Sequence, residues 1–317
     1  MITLEHIYWL TGLMMAGVSL VNWRDRSNRR RFNNAAFWGI YAITFLVGSR
    51  IPDLANGFLL IAMVLVASIR GLGQGLDQSS HVEREQSAAR WGNKLFIPAL
   101  AIPIVTVVGT LTLKRFTING NPIVDVKQVT VISLAIATIV ALAIGMILLR
   151  PPLATPIKEA RRLLDAVGWA AVLPQMLAAL GALFALAGVG NVVSNLAQRW
   201  IPLDTPFVVV ITYTVGMAVF TMIMGNAFAA FPVMTAGIGL PLIVHKFGGD
   251  PTIMSAIGML SGFCGTLMTP MAANFNIVPT ALLELPDENA VIKVQIPTAL
   301  ILLGANILLM NFLVFRP

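Results

Sequence analysis

The chain has 317 residues, 57% of them hydrophobic and only 11% charged, where soluble domains carry roughly 25% charged residues. So apolar an average needs lipid as solvent over much of the surface, which excludes an ordinary soluble fold. The net charge of +7 then reads as topogenic Lys and Arg beside membrane spans and not as a nucleic-acid surface; the single cysteine, Cys264, excludes an intramolecular disulfide framework or a CxxC metal or redox site.

The opening Met1-Ile-Thr-Leu-Glu5-His6 lacks the basic region of a cleaved signal peptide, so the first apolar run is expected to be a retained span. Apolar runs with the character of crossings occupy 7–21, 35–48, 54–69, 95–113, 129–149 and 166–187, and less regular ones occupy 206–225, 227–244, 253–283 and 294–315. Charged side chains fall in the connectors or at span edges, as the cost of intramembrane charge requires. Connectors 24–31, 70–94 and 150–162 hold thirteen Lys or Arg, and the alternating set around 50, 114–127 and 199 holds five. The positive-inside rule places the first set in the cytoplasm and the N-terminus outside. The Arg-rich stretch 24–31 is read as a cytoplasmic stop signal, and Gly71-Leu-Gly-Gln-Gly75 as a plain connector, because a phosphate loop needs a preceding strand and a following helix.

The regular pattern breaks in the second half, which divides the chain into scaffold helices over 1–165 and a second region over 166–317. From Ala187 the sequence reads AGVGNVVSNLAQRW, with Val189, Val192, Val193, Leu196, Ala197 and Trp200 at helical spacing, and predicts a short helix lying in the interface. Two apolar segments follow, joined at Met224-Gly225-Asn226-Ala227 without a charged loop. Two full spans would have to turn there on almost no linker, so a re-entrant hairpin of half-depth arms over 206–244 is expected. A turn inside the hydrocarbon costs several kcal/mol per free N–H or C=O unless protein or a water-filled cavity satisfies it, and such turns therefore line sites. Gly225 and Asn226 suit that turn, Gly by tolerating positive φ and Asn by offering a donor and an acceptor; a packing Gly with an interhelical Asn is the competing reading.

The run 253–283 is 31 residues long, about 46 Å as one helix, well beyond the hydrocarbon thickness. Pro270 removes an N–H, Gly262 and Gly265 weaken the helix, and Thr266, Thr269, Asn274 and Asn276 concentrate polarity near its middle. A discontinuous helix is expected, against a simple Pro kink capped by threonines.

The order AGVGNVVSNLAQRW, then MGNAFAAFPVMTAGIGLPLI from Met224, then GTLMTPMAANFNIVP from Gly265 resembles one repeat of the ion-transporter superfamily, which includes divalent-anion/sodium symporters. The tip here is Gly-Asn-Ala where that superfamily has Ser-Asn-Thr. Over essentially the whole chain, the sequence resembles a family of bacterial membrane proteins regarded as one subunit of a two-subunit 5-oxoproline (pyroglutamate) transporter. The resemblance implies substrate contacts at Asn226, Thr266, Thr269, Asn274 and Asn276, and cation or helix-break roles for Gly225, Ala227, Gly265 and Pro270.

The expectation is therefore an all-α polytopic protein of the bacterial inner membrane, with about eight transmembrane helices, one re-entrant hairpin, one discontinuous helix and both termini outside. A rival has nine crossings, with a shorter hairpin at 227–244 and the C-terminus inside. Half-helix N-termini suit a small carboxylate without a basic side chain. With no Asp or Glu expected inside a span, Na⁺ is favoured over H⁺ as coupling ion, and no other cofactor is expected. No second Gly-Asn tip or Thr-Pro break occurs in 1–160, so the complementary repeat is expected on a second membrane subunit. Cys264 and the three histidines lie too far apart in sequence to suggest a catalytic or metal site; a channel and a structural membrane subunit are the competing functions.

Overall fold

A computed structural model describes residues 1–69, 71–75, 81–118 and 121–316, and all ten apolar runs are helical over most of their length. Seven helical stretches among the described residues are long and apolar enough to cross a membrane, and Asp53–Ile69 is a shorter apolar helix. The protein is an all-α polytopic membrane protein. Two compact units divide the chain, Met1–Asp165 and Ala166–Pro317.

The first unit contains α1 (Leu4–Arg24), α2 (Arg31–Val47), α3 (Asp53–Ile69), α4 (His81–Trp91), α5 (Phe96–Thr112), α6 (Val129–Leu149) and nearly all of α7 (Thr155–Val167). Val18 of α1 and Phe37 and Trp38 of α2 are fully buried, whereas α5 buries none of its side chains and turns Ile104, Val107 and Leu111 outward. That surface is tolerable only against lipid or another apolar protein face.

Contacts sort the connectors of this unit into two groups. Arg161 of α7 forms a salt bridge with Asp25. Asn28 and Asn34 donate to the Gly73 carbonyl at 2.9 and 2.6 Å, and Asn33 donates to that of Gly71 at 3.2 Å. The glycine-rich segment 71–75 is thus a loop whose carbonyls are held by asparagines, with no strand leading into it. These contacts join the three Arg- and Lys-rich connectors to one another. At the other ends of the helices, Ile2 donates to the Ile123 carbonyl at 2.7 Å, and the Arg50 guanidinium lies 5.3 Å over the Trp9 ring. A two-residue antiparallel ribbon, β1 (Thr117–Ile118) with β2 (Asn121–Pro122), precedes that Ile2 contact. The start of the chain and the α5–α6 connector therefore share one side, as the charge alternation requires.

The second unit contains α8 (Leu173–Leu186), α9 (Val189–Trp200), α10 (Pro206–Met224), α11 (Ala227–Met234), α12 (Pro251–Thr266), α13 (Ile277–Leu282) and α14 (Ala290–Leu313). A π-helix, Thr235–Lys246, continues α11. Gly237, Gly239 and Pro241 disfavour regular α-geometry there, and a widened turn accommodates the missing Pro N–H. About half of Ala227–Lys246 and nearly half of Pro206–Met224 are buried within the unit, more than in any other spanning stretch. Tyr213, Met217, Met234, Ile238 and Met254 are the fully buried centre, so the α10–α11 hairpin is the core around which the unit is built.

One alternative falls and one expectation changes. Ala227–Lys246 is one continuous helical run, which excludes the rival with a separate hairpin inside 227–244. The arms are also longer than half-depth helices: 19 residues in α10, about 28 Å, and 20 in Ala227–Lys246. Linker length set no limit, because left-handed Gly225 (φ +72°) and extended Asn226 reverse the chain in two residues.

Burial of Asp25 would raise its carboxyl pKa, but the Ser27 hydroxyl and backbone N–H and the Arg161 guanidinium more than offset this and hold it below its usual value. A depressed folded-state pKa contributes stability that is present above the unfolded value and lost as pH falls through the folded one. Asp25→Asn is accordingly expected to lower the melting temperature of the detergent-solubilised protein at neutral pH, the gap to wild type closing in acid. A pH-independent gap would show that the carboxylate charge contributes nothing.

Candidate functional site

The site is built from the tip of the α10–α11 hairpin and the break after α12. At the tip, Gly225 takes the left-handed conformation that ends α10, and a side chain there would overlap the Met271 backbone. Asn226 is the N-cap of α11: its Oδ1 accepts from the Phe228 N–H at 2.8 Å. Ala227 is fully buried.

At the break, α12 ends at Thr266, residues 267–276 are not helical, and α13 begins at Ile277. The last carbonyls of a helix have no intrahelical partner, and here a side chain supplies one. Asn276, fully buried, donates from Nδ2 to the carbonyls of Thr266 at 2.8 Å and Thr269 at 2.6 Å. Its own carbonyl accepts from the Thr280 hydroxyl at 2.7 Å, so one residue ties both sides of the gap. The Thr266 hydroxyl turns back onto the Phe263 carbonyl at 2.6 Å.

Tip and break meet. The Thr269 hydroxyl donates to the Met222 carbonyl, in the last turn of α10, at 2.9 Å and accepts from the Met271 N–H at 3.2 Å. Gly265 lets α12 approach α10 so closely that a Cβ would overlap the Ala218 carbonyl. Gly225, Asn226, Ala227, Gly265, Thr266, Thr269 and Asn276 thus fall in one region. Pro270 and Asn274 belong to the same break but are exposed, and Asn274 takes no part in bracing it.

Two buried oxygens in these elements have no hydrogen-bond partner, Asn276 Oδ1 and Thr221 Oγ1. Thr221, whose backbone carbonyl accepts from the Gly225 N–H at 2.7 Å, was missed by sequence reasoning. The signal was a hydroxyl four residues before the tip in an apolar run. A concavity of about 580 Å³ lies elsewhere in the unit, between α9 and α10, and is lined by apolar groups such as Leu196, Val215 and Phe220.

A protein-family model matches residues 5–315, nearly the whole chain. The chain belongs to the DUF979 family, described as proteins of unknown function. No curated protein matches the chain. Among solved structures, the YdaH transporter of Alcanivorax borkumensis, described as having an unusual topology, is 15% identical, over 96% of this chain and 73% of that one, with a TM-score of 0.35. That superposition is too poor to establish a common fold. The site of this DUF979 chain therefore has to be argued from its own geometry.

That geometry gives Asn276 a bracing function. Asn276→Ala leaves two carbonyls without donors, at about 1–3 kcal/mol each, and is expected to lower the melting temperature in detergent markedly. Asn274→Ala, at an exposed position of the same break, is expected to leave it unchanged. Equal melting temperatures for the two variants would show that the break does not depend on the Asn276 amide.

Proposed function

We propose that this chain is one subunit of a two-subunit secondary transporter in the bacterial inner membrane, acting on a small carboxylate, 5-oxoproline, as a carrier and not as an enzyme. The observation that carries the reading is the meeting of a two-residue hairpin tip with a ten-residue helix break, held by the Thr269–Met222 hydrogen bond. Irregular backbone in so apolar a chain is costly and persists where it lines a site.

The pieces suit a monocarboxylate. The N-terminus of α11 presents backbone N–H groups and the positive end of its dipole, and Asn226, whose Oδ1 caps the helix, adds an amide donor. Asn276 Oδ1 and Thr221 Oγ1 are the uncommitted oxygens available to a cation. The complementary half of the clamp is assigned to a second membrane subunit. The preference for sodium rested on the absence of an acid from the spans, and that ground is weakened by Asp165, a buried carboxyl in the first unit.

Uptake of radiolabelled 5-oxoproline in cells lacking this chain tests the reading. Restoration is expected only when the chain is supplied together with its genomic neighbour. Asn226→Ala and Thr269→Ala, each removing one ligand or brace contributing roughly 1.5–3 kcal/mol, are expected to weaken apparent affinity about tenfold to a hundredfold, with Asn195→Ala as an unaffected control. Uptake by the single chain would remove the partner, and unchanged affinity in both tip and break variants would return these residues to helix packing.

A further inference from the structure

The first unit contains a buried polar cluster that the transport site does not use. Asp165, near the end of α7, is 6% exposed, and its Oδ1 accepts from Trp38 Nε1 at 2.9 Å and Asn22 Nδ2 at 3.1 Å. Asn34, whose amide is bonded to the Gly73 backbone, is a further neutral group beside it. One turn earlier on α7, Arg161 is 4% exposed and forms its salt bridge with Asp25. The remaining charged or titratable groups on these elements are engaged or turned outward. Arg162 pairs with Glu159, Arg30 donates to the Leu72 carbonyl, Tyr41 stacks on Trp38, and Arg24 and Lys158 are exposed.

Two observations point the same way. Among the described residues, one buried cation faces two carboxylates, and its salt bridge is to Asp25. An ionised carboxylate at Asp165 would be buried with neutral donors alone in direct contact, a costly arrangement that protonation relieves. Independently, Asn22 is fully buried, its amide nitrogen is bonded to Asp165, and its Oδ1 has no donor. A proton on the second oxygen of Asp165 supplies that donor, since an amide and a carboxylic acid pair through two complementary hydrogen bonds.

We propose that Asp165 is a proton-binding site, its acid hydrogen donated to Asn22 Oδ1, and that the proton is the ion this chain couples to transport. The coupling half rests on the transporter reading; the proton site stands without it. When the acid ionises, its proton leaves to water on the side of the Arg-rich connectors. Arg161, four residues away on the same helix and with a buried Nε–H that has no partner, is the cation the new carboxylate attracts, in competition with Asp25. Proton uptake and release thereby change the tie between α7 and the end of α1.

The test uses the full-length protein in lipid bilayers. Infrared difference spectra recorded on pH steps across the range in which the protein stays folded are expected to show the carbonyl stretch of a protonated carboxylic acid that titrates. The band should be absent from Asp165→Asn, which mimics the neutral acid and preserves the fold, and retained in Asp25→Asn. If wild type shows no such band, or Asp165→Asn retains it, the site is overturned. In proteoliposomes containing both subunits, Asp165→Asn is expected to lose accumulation driven by a proton gradient while keeping 5-oxoproline counterflow, which moves no net proton. Normal gradient-driven accumulation in that variant overturns the coupling. Absence of counterflow in wild type overturns the transporter reading instead, and the spectrum still decides the proton site.

Discussion

The amide of Asn276 spans the gap where polar residues gather inside an apolar run. Breaking a helix in such surroundings exposes carbonyls that lipid cannot satisfy, and Asn276 takes two of them, at Thr266 and Thr269, with one nitrogen. Everything at the site follows from that brace. With the Thr269 carbonyl held from one side, its hydroxyl is free to reach the Met222 carbonyl, which fixes the break against the hairpin. The hairpin can come so near because Gly225 and Gly265 carry no side chain where Met271 and Ala218 press in. Small residues and one buried amide replace the regular hydrogen-bond ladder.

The first unit solves a different problem, that of keeping a bundle of lipid-facing helices in register with little apolar surface buried between some of them. Its helices are joined at their ends. Asparagines 28, 33 and 34 grip the backbone of the 71–75 loop, Arg161 grips Asp25, and Ile2 adds a bridge beside the small ribbon at the opposite end. These contacts also give the positive-inside pattern a structural counterpart, since the three basic connectors are hydrogen-bonded or ion-paired to one another.

The helices were legible in the sequence because an apolar run of crossing length has few alternatives. The tip and the break were legible for a local reason: Gly-Asn with no linker, and Pro270 among glycines and threonines, each interrupt a helix whatever surrounds them. Roles were less legible than places. The resemblance implies a substrate contact at Asn276, and nothing local foretells that its amide nitrogen is turned onto carbonyls seven and ten residues back, a contact set by how the chain folds between them. The hydrogen bond from Thr269 crosses 47 residues and has no signature in local spacing. The π-helical continuation of α11 and the depth of the hairpin arms were hidden in the same way, since composition specifies apolar helix without specifying its winding or its neighbours.

Asp165 shows most clearly why a hydropathy pattern can misplace a charged group. In an amphipathic surface helix the apolar stripe faces the core, so a stretch reading TPIKEARRLLDAV is naturally taken as a connector whose charges face water. In α7 the buried residues are Arg161 and Asp165, while Leu163 is 40% exposed. The inversion is possible because α1 and α2 present Asn22, Asn34 and Trp38, neutral donors that can receive a carboxyl, and Asp25, which neutralises the guanidinium. The two units thereby divide their polar chemistry. The second braces its irregular backbone with uncharged amides and hydroxyls, and the first buries a carboxyl and a guanidinium.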